Sequence, residues 1–184
     1  MDHVLHTIDA IQKLRLELWS HGARASALEA LPEGATLRAI AASERRIGCR
    51  LPQSYRTFLH AHDGFPSLLH GARLFGTGQL GRREDAAMTA AVFAAYHTPL
   101  PEIGPPARPE GRSDAMIPFG MDAEGTAIFA WNPAVLRANG EMEIIVWANG
   151  LGDRCGGFPE FLTLIHDMLL SEIGDARADL LQSA

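Results

Sequence analysis

Beyond residue 115 the chain changes its period. Met116-Ile-Pro-Phe119, Thr126-Ala-Ile-Phe-Ala-Trp131 and Glu143-Ile-Ile-Val-Trp147 are short apolar and β-branched runs, set apart by Asp122-Ala-Glu-Gly125 and by Asn132-Pro133 through Asn139-Gly140. That is the pattern of strands joined by turns, and it predicts an antiparallel meander. The flanking sequence instead keeps three- and four-residue steps. Val4, Leu5, Ile8, Ile11, Leu14 and Leu18 predict an amphipathic helix from about His3 to Trp19, and Phe158, Phe161, Leu162, Ile165 and Leu169 predict a closing one. Residues after Gly174 are expected to fray.

Between these lie two further helices whose ends are written in the sequence. Thr36 can cap a helix carrying Leu37, Ile40, Ala41, Glu44 and Ile47, and Gly48 can end it, because glycine enters the left-handed conformation without a Cβ clash. Pro52 suits a first helical turn, where its missing N–H has no partner to lose. From there Tyr55, Phe58, Leu59 and His62 fall on one helical face, and Asp63-Gly64 terminates the helix. His60, His62 and Asp63 resemble a metal-ligand cluster by composition, but on a helix turning about 100° per residue the two imidazoles point far apart. The expectation is therefore no metal: His62 at the edge of the core and His60 toward solvent.

Gly76-Thr-Gly-Gln-Leu-Gly81 follows a short strand candidate, Ala72–Phe75, and precedes a helix expected from Glu84 to about His97. A dinucleotide fingerprint needs more than its glycines; the helix must lead into a parallel strand with an acidic residue for the ribose. Here it leads into Thr98-Pro-Leu-Pro-Glu-Ile-Gly-Pro-Pro-Ala-Arg-Pro109, which prolines bar from being a central strand. The glycines read as a structural connection, residues 98–113 as a Pro/Gly loop, and no cofactor is expected.

The net charge of −6 is unevenly spread: residues 1–92 hold 11 basic and 9 acidic residues, residues 93–184 hold 5 and 13. An acidic C-terminal half repels phosphate backbones and attracts a basic protein, so a protein partner is expected and nucleic acid is not. No apolar run approaches the roughly 20 residues that span a bilayer, so no membrane is expected either. Cys49 and Cys155, far apart and without an export signal, read as free thiols of a cytoplasmic protein.

In order along the chain, Glu44-x-x-Ile47-Gly48-x-x-Leu51-Pro52-x-x-Tyr55-x-x-Phe58-Leu59-x-x-x-Asp63-Gly64 resembles the signature of the SUKH superfamily, which includes bacterial toxin-immunity proteins and a yeast cell-wall assembly regulator. Ile117-Pro-Phe-Gly120 with Asp122 and Gly125, and Val146-Trp147 through Phe158-x-x-Phe161-Leu162, are similar to the family's later segments. Asp63 stands where the pattern has Asn, and Phe65 where it has a second glycine. The resemblance implies an α+β fold, a mixed, largely antiparallel sheet wrapped by helices, with no catalytic residues. The expected organisation is a helical extension over 1–30, a SUKH-like domain over 31–174 and a frayed tail over 175–184. Glu44, Gly48, Leu51, Pro52, Tyr55, Phe58, Leu59, Asp63 and Gly64 are then fold determinants.

The function this implies is non-catalytic protein binding: an immunity protein, monomer or homodimer, that neutralises a basic toxin domain, a nuclease above all. Asp122, Glu124, Glu141 and Asp153, in the turns expected around the meander, are the candidate contacts. The rival readings are a scaffold or regulatory adaptor of the same fold and, further off, an enzyme using the histidine cluster or the glycine loop.

Overall fold

The computed structural model describes residues 2–20, 29–96, 116–148 and 151–182. Helix α1 spans Asp2–Ser20, α2 Leu37–Ile47 and α3 Gln53–Ala61; strands β1 (Phe65–Leu69) and β2 (Ala72–Leu74) precede α4 (Arg83–Tyr96); β3 (Ile117–Met121), β4 (Ala127–Leu136), β5 (Met142–Ala148) and β6 (Leu151–Cys155) lead into α5 (Phe158–Gln182). The six strands form one sheet in sequence order, every neighbour antiparallel. The fold is α+β, as the resemblance implied. The Pro/Gly loop expected over 98–113 lies outside the described residues. No described helix is long and apolar enough to cross a membrane.

The core forms where α3 and α5 press aromatic rings onto one face of the sheet. Tyr55 meets Phe119, Trp131 and Phe158 edge-on at 5.5, 4.8 and 4.9 Å, Phe119 stacks on Trp131 at 4.5 Å, and Phe161 meets Phe129 at 4.9 Å. Such edge and stacked pairs are favourable beyond the area they bury. The Tyr55 hydroxyl, deep among these rings, donates to the Phe75 carbonyl at 2.7 Å, which satisfies the one polar atom that the ring brings inside. Strand alternation turns neighbouring residues to the other face, where Trp147 meets Phe93 of α4 at 6.0 Å.

Local sequence signals set several helix ends. Thr36 Oγ1 accepts from the Ala39 N–H at 3.2 Å, and Gly48 takes φ +76 with its N–H on the Glu44 carbonyl. At the end of α3 the division of labour differs slightly from expectation. His62 caps the helix in an extended conformation with its N–H on the Phe58 carbonyl, and Gly64, at φ +104, turns the chain into β1.

Long-range packing overrules the sequence at the chain ends. Helix α1 lies along α5 and against α3, and buries Val4, Ile8, Ile11 and Leu18 in the common core. The fraying expected after Gly174 is not found among the described residues, since α5 runs on to Gln182. A mid-helix glycine costs only about 1 kcal/mol, and α1 offsets it by packing along α5 and by pairing Glu17 with Arg177. Strand β4 likewise runs past its expected end at Asn132-Pro133 to Leu136. The register shifts between Asn132 and Leu136, and at such an irregularity the absent proline N–H costs no ladder bond.

Candidate functional site

The signature residues are structural, each with an identifiable partner. The Glu44 carboxylate accepts from the Leu51 N–H at 3.0 Å and pairs with Arg56 at 2.7 Å, tying α2 to the start of α3. Leu51, Tyr55, Phe58 and Leu59 are buried, and Pro52 occupies the N-cap of α3. Asp63 does more than end a helix. Its two oxygens accept from the Thr77 N–H and the Thr77 hydroxyl, while Arg46 donates to the carbonyls of Leu80 and Thr77.

Those contacts decide the glycine loop. A Cβ on Gly76 would stand 2.3 Å from the Asp63 carbonyl oxygen, and one on Gly81, at φ +77, 3.0 Å from Arg46 Cβ, whereas Gly78 faces open space. A nucleotide fingerprint needs its second glycine for close approach of a pyrophosphate; here the crowded glycines are the outer ones, and the crowding is internal. The Thr77 N–H is spent on an internal carboxylate.

The histidines are also apart. His60, exposed, has Nδ1 3.3 Å from the Ala35 carbonyl, and His62, half-buried, has Nδ1 3.3 Å from the Pro32 carbonyl. Among the described residues no three His, Cys, Asp or Glu side chains gather as metal ligands.

The four candidate contact acids fare unequally. Glu141 is a correction. It is 7% exposed, and its carboxylate accepts from the Ser54 hydroxyl at 2.7 Å and the Phe158 N–H at 3.1 Å, so it binds the first turns of α3 and α5 and is not presented to a partner. Carboxylates are favoured at helix N-termini, where N–H groups lack intrahelical acceptors. Asp122 is half-exposed and spends its oxygens on the Thr126 N–H, at 2.8 Å, and the Thr126 hydroxyl. Glu124 is exposed in the same turn. Asp153 is exposed but lies in strand β6, not in a turn, with its carboxylate on the Arg154 N–H at 2.7 Å.

The sheet register brings three of these acids toward one end of the molecule. The β3–β4 turn carries Asp122 and Glu124 next to Ala127, which pairs with Ala148, while Asp153 pairs with Val146 on the neighbouring strand. Between this end of the sheet and α5 lies a hollow of about 80 Å³, whose lining includes Leu69, Asp122, Phe129, Val146, Ile165 and Met168. Met168 is partly exposed, and the His70–Glu172 pair, 2.8 Å apart, joins the β1–β2 turn to α5. Sequence reasoning missed the acids of α5 itself: Glu160, Asp167 and Asp175 are exposed on its outer face. Their only signal was helical spacing away from the apolar stripe. The nearby cations are largely engaged, Arg154 with Glu143 at 2.9 Å and Arg177 with Glu17. The arrangement is a small apolar hollow with acidic surroundings, suited to holding a basic side chain by both its stem and its charge.

No curated protein matches the chain significantly. A model of the SMI1 / KNR4 family (SUKH-1) matches residues 34–165, from the segment before α2 into α5, and leaves α1 outside the match although α1 completes the core. With most of its length under that match, and with a fold of the expected class, the chain belongs to the SMI1/KNR4 family, SUKH-1.

Proposed function

We propose that this SUKH-1 domain is an immunity protein, which binds and neutralises a basic bacterial toxin domain, a nuclease being the class that such a surface suits best. The observation that carries this reading is the hollow at the sheet end, lined by Phe129, Val146 and Met168 and accompanied by Asp122, Glu124 and Asp153. Nuclease surfaces that hold phosphates are rich in Arg and Lys, and an acidic counter-surface both steers association and covers such a groove. Glu141 plays no direct part, since it is spent on two helix ends.

The test is co-purification of the tagged protein from its native cells, followed by titration of the purified pair. Glu124→Lys with Asp153→Lys, both on exposed positions, is expected to weaken binding at least tenfold, about 1.4 kcal/mol, and to flatten its salt dependence. Unchanged affinity and salt dependence would refute the acidic docking surface. Recovery of several unrelated housekeeping proteins, with no stoichiometric toxin, would favour the adaptor reading.

A further inference from the structure

Beside the Asp63–Gly64 turn lies a second, open cleft of about 300 Å³, lined among others by Glu29, Asp63, Phe65, Arg73, Leu74 and Gln79. That volume is at the lower end of small-molecule sites. Its frame is rigid for reasons already given: Gly64 is packed to within 2.8 Å of the Gly76 nitrogen, measured from where a Cβ would be, and the Asp63 carboxylate is locked to Thr77.

Besides the Glu29 carboxylate, the polar groups that remain at the cleft are donors. The half-buried Arg73 side chain makes no hydrogen bond or ion pair with any described residue; its guanidinium carbon sits 5.9 Å from the Phe75 ring centroid, and Nε alone is closed off from water without a partner. Asp85 on α4 feels its charge from beyond ion-pair distance. Gln79 uses its amide oxygen to accept from the Gly76 N–H at 2.9 Å, which leaves its NH₂ as a donor. Arg15 packs over the Phe65 ring, itself part of the cleft wall, with its guanidinium carbon 5.0 Å from the ring centroid. Arg15 is 5% exposed, gives Nη1 to Gln12 at 3.0 Å, and has a buried Nη2 with no acceptor. Burial presses its pKa down, and the charge of Glu29 at the cleft partly restores it. A buried guanidinium N–H without an acceptor is costly; Arg73 brings one to the cleft itself, and Arg15 holds another behind the Phe65 wall.

We propose that this cleft binds a small ligand through an oxyanion, a carboxylate or a phosphate group, seated on the Arg73 guanidinium with the Gln79 amide as second donor. Phe65, Leu74 and Pro32 cover the ligand's apolar part. Glu29 opposes an added negative charge and so sets an upper limit on affinity for simple anions. This site is separate from the acidic hollow and independent of any toxin.

The test is thermal unfolding of the full chain titrated with inorganic phosphate and, separately, with succinate. One or both is expected to give a saturable rise in Tm, about 5–10 °C at a hundredfold excess over Kd, that disappears in Arg73→Gln. A response to phosphate alone assigns a phosphoryl ligand, and a response to succinate alone assigns a carboxylate. No saturable rise, or the same rise in Arg73→Gln, overturns the proposal. Should Arg73→Gln fail to fold, Glu29→Gln decides: binding tightened by about threefold or more, through lost repulsion, supports the site, and unchanged or weaker binding overturns it.

Discussion

Replacing Glu141 by Ala tests whether a buried acid in the meander serves stability or recognition. The substitution leaves the Ser54 hydroxyl and the Phe158 N–H without the acceptor they now hold at 2.7 and 3.1 Å, and loosens the Ser54 N–H, which lies 3.4 Å from the other oxygen. Hydrogen bonds to a charged group contribute about 1.5–3 kcal/mol each. Counting the two short ones, Glu141→Ala should cost about 3–6 kcal/mol, against a total stability of roughly 5–15 kcal/mol for a domain. Glu141→Gln keeps one acceptor oxygen and the shape, and should cost about half as much. Ser54→Ala removes one donor and should cost about 1 kcal/mol, and the double variant should fall short of the sum because the two groups are coupled. Urea unfolding with an unchanged m-value reads all four. A loss below about 1 kcal/mol in Glu141→Ala would refute the capping role, and so would equal losses in the Ala and Gln variants.

Three further outcomes follow from the same geometry. Gly76→Ala, with its Cβ 2.3 Å from a backbone oxygen, should destabilise by more than about 3 kcal/mol, while Gly78→Ala, facing open space, should be neutral; chemical denaturation of the pair checks this. Deletion of residues 1–24 strips Val4, Ile8, Ile11 and Leu18 from the core, a loss of about 1.5–3 kcal/mol for each side chain, so the shortened chain should be unfolded or aggregated by circular dichroism and light scattering. Stability should fall as pH rises from about 9 toward 12, because burial pushes the Cys155 thiol up to about 12 and the Tyr55 phenol well above its usual value. The folded state then holds protons that the unfolded state has released. Denaturant midpoints at pH 8, 9, 10 and 11 read this, and Cys155→Ser should flatten the slope.

The legible parts of this protein are those whose causes lie within a few residues. Thr36 and Gly48 bound α2 as read, and Pro52 opens α3, because capping is a contact between near neighbours. The three central strands showed themselves by composition. Strand β1 did not, since it is five residues long and carries Pro66, which an edge position tolerates. Nor did β6, whose Leu-Gly-Asp-Arg-Cys has no alternation to read. Glu141 was misplaced for a different reason: its partner Ser54 is 87 residues away, and an acid in a turn-like stretch gives no local sign that a folded neighbour will enclose it. The cleft was hidden likewise, since Arg15 meets its Phe65 wall only after α1 has been laid across the β1–β2 hairpin that carries Arg73. The resemblance to the SUKH signature identified the scaffold correctly, while the candidate surface depended on strand register.

The pairing of the first helix with the last has a consequence for how the protein is made. All six strands neighbour each other in sequence order and can pair as they emerge, whereas the apolar stripe of α1 finds its main neighbour only when α5 arrives. At 5–20 residues per second, the ribosome leaves that stripe waiting roughly 10–30 s. During synthesis the sheet can therefore be assembled while Val4, Ile8 and Ile11 still await α5, which makes the nascent α1 a natural target for a chaperone.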